Sequence, residues 1–173
     1  MGRPFKFKRG NLVARLSDQE RRVLEFVCDE LTLLLSDPTP DPDVPEWARE
    51  LGLGGMGESR QAPQDPVVAR LLPSGYEDPE RASEFRRLTE AGLRATKLAH
   101  IAAVREQLQH DPIVITGDVR AWMAYLADAR LMLGTRLEVT EDDPMLPSDD
   151  PEHNLYVYLG YLQQSLIEEL MGH

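Results

Sequence analysis

Residues 12–35, "LVARLSDQERRVLEFVCDELTLLL", change hydrophobic period in the middle, and that change sets the fold class. Up to Leu16 the chain alternates as a short strand does. "SDQE" then makes a capping box, in which Ser17 caps a helix and Glu20 reaches back three residues. Beyond it Val23, Leu24, Val27, Leu31, Leu34 and Leu35 recur at helical spacing. The pattern predicts a helix over 18–35. Upstream, "FKFKRGNLVARL" alternates around a Lys-Arg-Gly-Asn turn and predicts a β-hairpin over 4–16, with strands 4–8 and 11–16.

Residues 36–65 hold five prolines and a "GLGGMG" run and read as a linker, with a short helix at "PEWAREL" that puts Trp47 and Leu51 on one side. No strand precedes that glycine run and no Gly-Lys-Ser/Thr follows it, so it is not a phosphate loop. "DPVVARLLP" is a two-turn helix capped by Asp65. The longest helix runs over about 79–110. Along it Phe85, Leu88, Ala91, Ala95, Ala99 and Ala102 form one apolar stripe, and Leu93, Ile101, Val104 and Leu108 a second. Two stripes imply a central helix with several packed neighbours.

"PIVIT" predicts a strand at 112–116. A helix capped by Thr116 or Asp118 follows, with Trp122, Tyr125, Leu126, Ala129 and Leu133 inward. Gly134 is expected to end it in a left-handed conformation, "TRLEV" to add a last strand, and Arg136 to bind a carboxylate. An acidic loop over 141–152 precedes a helix at about 153–171, whose inner row is Leu155, Leu159, Leu162, Leu166 and Leu170. "LVARLSDQERRVLEFV" and "IVITGDVRAWMAYL" share a strand-cap-helix order, which predicts that strands 11–16 and 112–116 pair in one small sheet. The expected architecture is a single domain over 1–173. It is mainly α, a helical bundle around a long central helix, with an N-terminal β-hairpin and a small accessory sheet.

The chain has 173 residues, 42% of them hydrophobic, and one cysteine. That supports a real core and a reducing compartment, the cytoplasm. Nothing approaches a membrane-spanning run, and "MGRPFKFKRG" lacks the apolar core of a signal peptide. Net charge is −11. The first 36 residues carry seven basic and five acidic groups, whereas the last 63 carry three and twelve. Such a field repels a phosphate backbone over most of the surface.

Catalytic signatures are missing. The four histidines form no His-Glu-x-x-His, and no metal or other cofactor is expected. A cluster of Asp142, Asp143, Asp149 and His153 lacks the spacing of a calcium loop and stands as a weaker reading. Cys28 lies on the flank of the inner face of its helix with Leu24 and Leu35. There it reads as a small apolar residue, with acidic neighbours Glu25 and Asp29 that disfavour the thiolate. The competing reading has it exposed as a redox group that links two chains. Arg86, Arg87, Arg94, Lys97 and Arg105 fall within roughly 100° of one helix face. Read functionally, that face contacts nucleic acid or a partner protein; read structurally, it is surface charge paired with Glu84 and Glu90.

"VRAWMAYLADARLMLGTRLEVT" (119–140), "DPVVARLLPSGYEDPERASEFRRLTEAGLRATKLA" (65–99) and "YLGYLQQSLIEELM" (158–171) together resemble the actinobacterial AosR-like family, long described only as a domain of unknown function. The Trp122–Leu137 block, with Trp122, Gly134 and Arg136, is its most specific part. The resemblance implies a cytoplasmic regulator linked to oxidative stress and transcription. Family members are encoded near a Clp-protease adaptor and a cysteine-biosynthesis cluster. The family's redox proposal rests on two cysteines, and this chain has only Cys28. The resulting expectation is a non-enzymatic regulator that contacts a protein partner, such as part of the transcription machinery. The alternatives are a direct DNA-binding regulator, a homodimer of either kind, and a metal- or small-ligand-dependent enzyme.

Overall fold

The computed structural model describes residues 3–36, 45–51, 63–117 and 119–172. The "GLGGMG" run, most of the proline-rich linker and Asp118 lie outside those residues.

Strands β1 (Phe5–Lys8) and β2 (Asn11–Ala14) form the expected hairpin, with Phe5 opposite Ala14 and Lys8 opposite Asn11. Its two-residue loop places both Arg9 (φ 51°) and Gly10 (φ 83°) in the left-handed region, as a tight turn matched to strand twist requires. Helix α1 (Asp18–Leu35) starts at Ser17 with both halves of the capping box formed. Glu46–Glu50 (α2) is one short turn whose Trp47 and Leu51 face solvent. Helix α3 (Pro66–Leu71) is capped by Asp65, and α4 (Pro79–Gln107) is the long helix. Strand β3 (Ile113–Ile115) pairs antiparallel with β2, Val13 against Val114, which completes a β1-β2-β3 sheet. The repeated strand-cap-helix order therefore located this pairing correctly.

Helix α5 (Arg120–Arg136) is the most deeply enclosed helix, packed on by α1, α3, α4 and α6 (Pro151–Met171). Trp122, Tyr125, Leu126, Ala129, Met132 and Leu133 bury its side chains, with Leu159, Leu162 and Leu166 of α6 against them. Trp122 meets Phe5 and Tyr125 edge-on, and its indole N–H donates to Gln107 Oε1 at 2.7 Å. The outer edge of β1 is covered by α6. Phe7 N–H donates to Glu169 at 3.1 Å and Phe5 N–H points at Ser165 Oγ, so this edge is closed to further strands.

Four expectations need correction. The Phe85–Ala102 stripe of α4 faces solvent except at half-buried Ala91, and Leu93 is also exposed. The inward side of α4 carries Ile101 and Val104 together with charged groups, because α1 and α5 supply ionic partners there. Thr116 is not the cap of α5. Its N-cap is Val119, whose side chain makes no capping bond. Gly134 does not end α5; the helix continues to Arg136, and Glu138 takes the left-handed conformation (φ 53°). Val139 N–H then returns to the Gly134 carbonyl and Glu138 N–H to Thr135, closing a Schellman motif. That turn replaces the strand expected at "TRLEV".

Candidate functional site

Cys28 is fully buried on α1 among Leu24, Leu31 and Leu35, over Tyr125 of α5. Tyr125 donates its hydroxyl proton to the Leu24 carbonyl at 2.8 Å. Burial pushes the Cys28 thiol up to about 11; the Tyr125 hydroxyl and Arg105 pull the other way, while Asp29 and Glu25 add to the rise. Burial likewise pushes Tyr125 well up. An uncharged thiol shielded from solvent lacks the electropositive, accessible setting of a reactive cysteine.

The five cations on α4 do not form one open surface. Arg94 binds Glu90 at 3.1 Å and donates to the Leu35 carbonyl at 2.8 Å, tying α4 to the end of α1. Lys97 reaches Asp128 of α5 at 2.7 Å. Arg105 pairs with Asp29 of α1 at 2.5 Å. Arg86 is half-buried, with Nε shielded and without a hydrogen bond. Arg87 borders a shallow pocket shared with Glu80, Ser83 and Glu84. Asp128 lies in a helix face of Tyr125, Ala129 and Met132; an acid in an apolar row was the signal that a cation must meet it.

The family-signature residues hold the α5 end. Trp122 is core. Arg136 binds Glu30 of α1 at 3.1 Å, the carboxylate partner expected of it. Gly134 passes under the Tyr156 ring, where a Cβ would lie 3.2 Å from that ring. In the acidic loop Asp143 accepts from Thr140 N–H, which holds its carboxyl below the usual range, and His153 Nε2 donates to the Leu146 carbonyl at 2.9 Å. Among the described residues no three His, Cys, Asp or Glu side chains are grouped to hold a metal ion. No described helix is long and apolar enough to cross a membrane.

Sequence reasoning missed one feature. A groove of about 540 Å³ lies between the hairpin, α1 and α6, lined by Pro4, Arg15, Glu20, Val23, Tyr158 and Tyr161 among others. Tyr158 donates to Glu20 Oε1 at 2.8 Å while Ser17 N–H donates to Glu20 Oε2 at 2.7 Å, so the capping carboxylate also ties α6 to α1. Burial works against the charged form of Glu20, but these bonds hold its carboxyl below the usual range. Burial, with the Glu20 carboxylate, pushes Tyr158 up. Beyond the groove the same face of α1 exposes Phe26 (58%) and Leu33 (74%). Helical spacing puts Gln19, Val23, Phe26 and Leu33 within about 80° of one another. Nothing in their residue types separates such a row from a core row.

A family model described as "Domain of unknown function (DUF2017)" matches residues 2–170. Proteins named "Oxidative stress regulator AosR" from Mycobacterium tuberculosis and Mycobacterium bovis are 32% identical, an alignment that covers 91% of this chain and 81% of theirs. No solved structure matches. Matched along nearly its whole length by that model and by AosR, the chain belongs to the DUF2017 family and is AosR-like.

Proposed function

We propose that this chain is a non-enzymatic, cytoplasmic regulator that acts in oxidative-stress-linked transcription control by binding another protein. The contact face is the groove between the hairpin, α1 and α6, continued along α1 by Phe26 and Leu33. One observation carries this reading: large apolar and aromatic side chains are exposed together on one face, rimmed by Arg15, Gln19 and Glu20. Exposed apolar surface of this kind marks interaction sites in soluble proteins. The name shared by the mycobacterial relatives supports the stress-regulatory setting. Direct DNA binding through α4 has less behind it, since Arg94, Lys97 and Arg105 are paired within the fold.

The test is affinity capture from the native cytoplasm under reducing and oxidising conditions, with mass spectrometry comparing wild type with Phe26→Glu and Leu33→Glu. The proposal expects a partner that both substitutions release. A partner retained by both, or captured only with nucleic acid present, overturns it.

A further inference from the structure

Helix α4 turns to solvent a row that the fold uses only at Phe85, whose ring meets Tyr76 edge-on. Phe85, Leu88, Gly92, Ala95, Ala99 and Ala102 are all exposed, Leu88 by 61%. The steps between them alternate 3-4-3-4-3, which is the a/d spacing of a coiled-coil seam. The same spacing extends to Arg81 before them and Glu106 after, both exposed as well. This row lies opposite Ile101 and Val104, which face the core. Alanine on an exposed face is ordinary, because it is the best helix former. Helix propensity does not account for Phe85 and Leu88 at one end, or for opposite charges at the two ends.

We propose that α4 pairs antiparallel with α4 of a second copy, forming a two-fold homodimer whose axis passes between residues 93 and 94. An antiparallel seam sets each a position against a d position. In the register centred on that axis, Phe85 packs on Ala102 of the second copy, Leu88 on its Ala99, and Gly92 on its Ala95. Each large side chain meets a small one, and the small central layer brings the helix axes toward the lower end of the usual ~8–10 Å separation. The same register sets Arg81 against Glu106 of the second copy. A parallel pair would stack Phe85 on Phe85, leave alanine facing alanine at the far end, and oppose like charges at both. The seam is thus complementary to itself in size and in charge only when antiparallel, and an isologous contact of this kind closes as a dimer. It is separate from the α1–α6 groove and leaves that face open.

Sedimentation equilibrium of the full chain over a dilution series tests the pairing. Wild type should be a dimer with a thermal midpoint that rises with concentration, and Ala95→Glu a monomer with unchanged circular dichroism and a concentration-independent midpoint, since the site is exposed and glutamate is a good helix former. Arg81→Glu should weaken the dimer about 5- to 30-fold by making two opposed pairs repulsive. Arg81→Glu/Glu106→Arg should restore it. A monomeric wild type, or a dimer indifferent to Ala95→Glu, overturns the proposal. Loss with Arg81→Glu that the double variant does not rescue overturns the antiparallel register.

Discussion

Replacing Lys97 by methionine keeps the length and apolar stem of the side chain but removes the charge that Asp128 meets at 2.7 Å. Asp128 retains 9% of its side-chain exposure and Lys97 18%, so the pair is mostly but not wholly withdrawn from water. Breaking a fully buried pair from one side costs about 3–5 kcal/mol, because the remaining charge is left without compensation. The residual exposure lets water screen part of that charge, which lowers the expectation to about 2–3 kcal/mol. For a chain of this size such a loss corresponds to a fall in thermal midpoint of about 4–12 °C. Urea unfolding followed by circular dichroism reads the same quantity as an earlier midpoint with an unchanged slope. Lys97→Met/Asp128→Leu should recover most of the loss, since an apolar pair of similar volume leaves nothing buried and unmatched. A cost below about 0.5 kcal/mol for Lys97→Met would place the residue among ordinary surface charges. The α4 cations would then be available to a ligand, and ion pairing would not be what turns them inward.

Other expectations follow from the same contacts. Glu138→Gly should stabilise the chain by about 0.5–1 kcal/mol in urea unfolding, because glycine takes the left-handed conformation at φ 53° without strain. Gly134→Val should cost about 1–3 kcal/mol by driving a side chain into the Tyr156 ring. Glu20 has a folded-state pKa below its ordinary 4.5, so its contribution is present above that pH and fades as pH falls through the lowered value. Glu20→Gln should therefore flatten the acid limb of the stability profile. Cys28 has the opposite sign: its contribution is complete below pH 9.0 and declines as pH rises toward about 11. Cys28→Ala should remove that alkaline decline. At pH 7.5 a thiol near 11 is ionised roughly 100-fold less than an ordinary one at 9.0, so maleimide should label Cys28 only after denaturation.

Much of the fold was legible where local chemistry and burial agree. Ser17 with Glu20, Asp65 with Pro66, and the Arg9-Gly10 turn each specify an element boundary within a few residues. The β2–β3 pairing was legible because the same strand-cap-helix order occurs twice. The length of α4 and the inward places of Ile101, Val104 and Leu108 were legible, but the rest of its inward face was not, since alanine fits a core or a surface equally and the cations there are matched by Glu90, Asp128 and Asp29. Those partners lie 4, 31 and 76 residues away in sequence, and only the nearest is visible as a helical pair. Gly134 misled for a related reason. Glycine ends helices often, but here it is required by the close approach of Tyr156 from α6. The placement of Cys28 was readable from its wheel position, whereas the Tyr125 hydroxyl beneath it was not. The α1–α6 groove depends on three elements meeting, and no single segment announces it.

The central claim is that the outer face of α1 carries the regulatory contact and that the thiol beneath it does not. Transcript levels after a peroxide challenge test this directly, in cells whose only copy of the protein is wild type, Cys28→Ala or Phe26→Glu. Cells with Cys28→Ala should respond as wild type does, and cells with Phe26→Glu, equally folded, should lose the response. A response abolished by Cys28→Ala and retained by Phe26→Glu would contradict the claim.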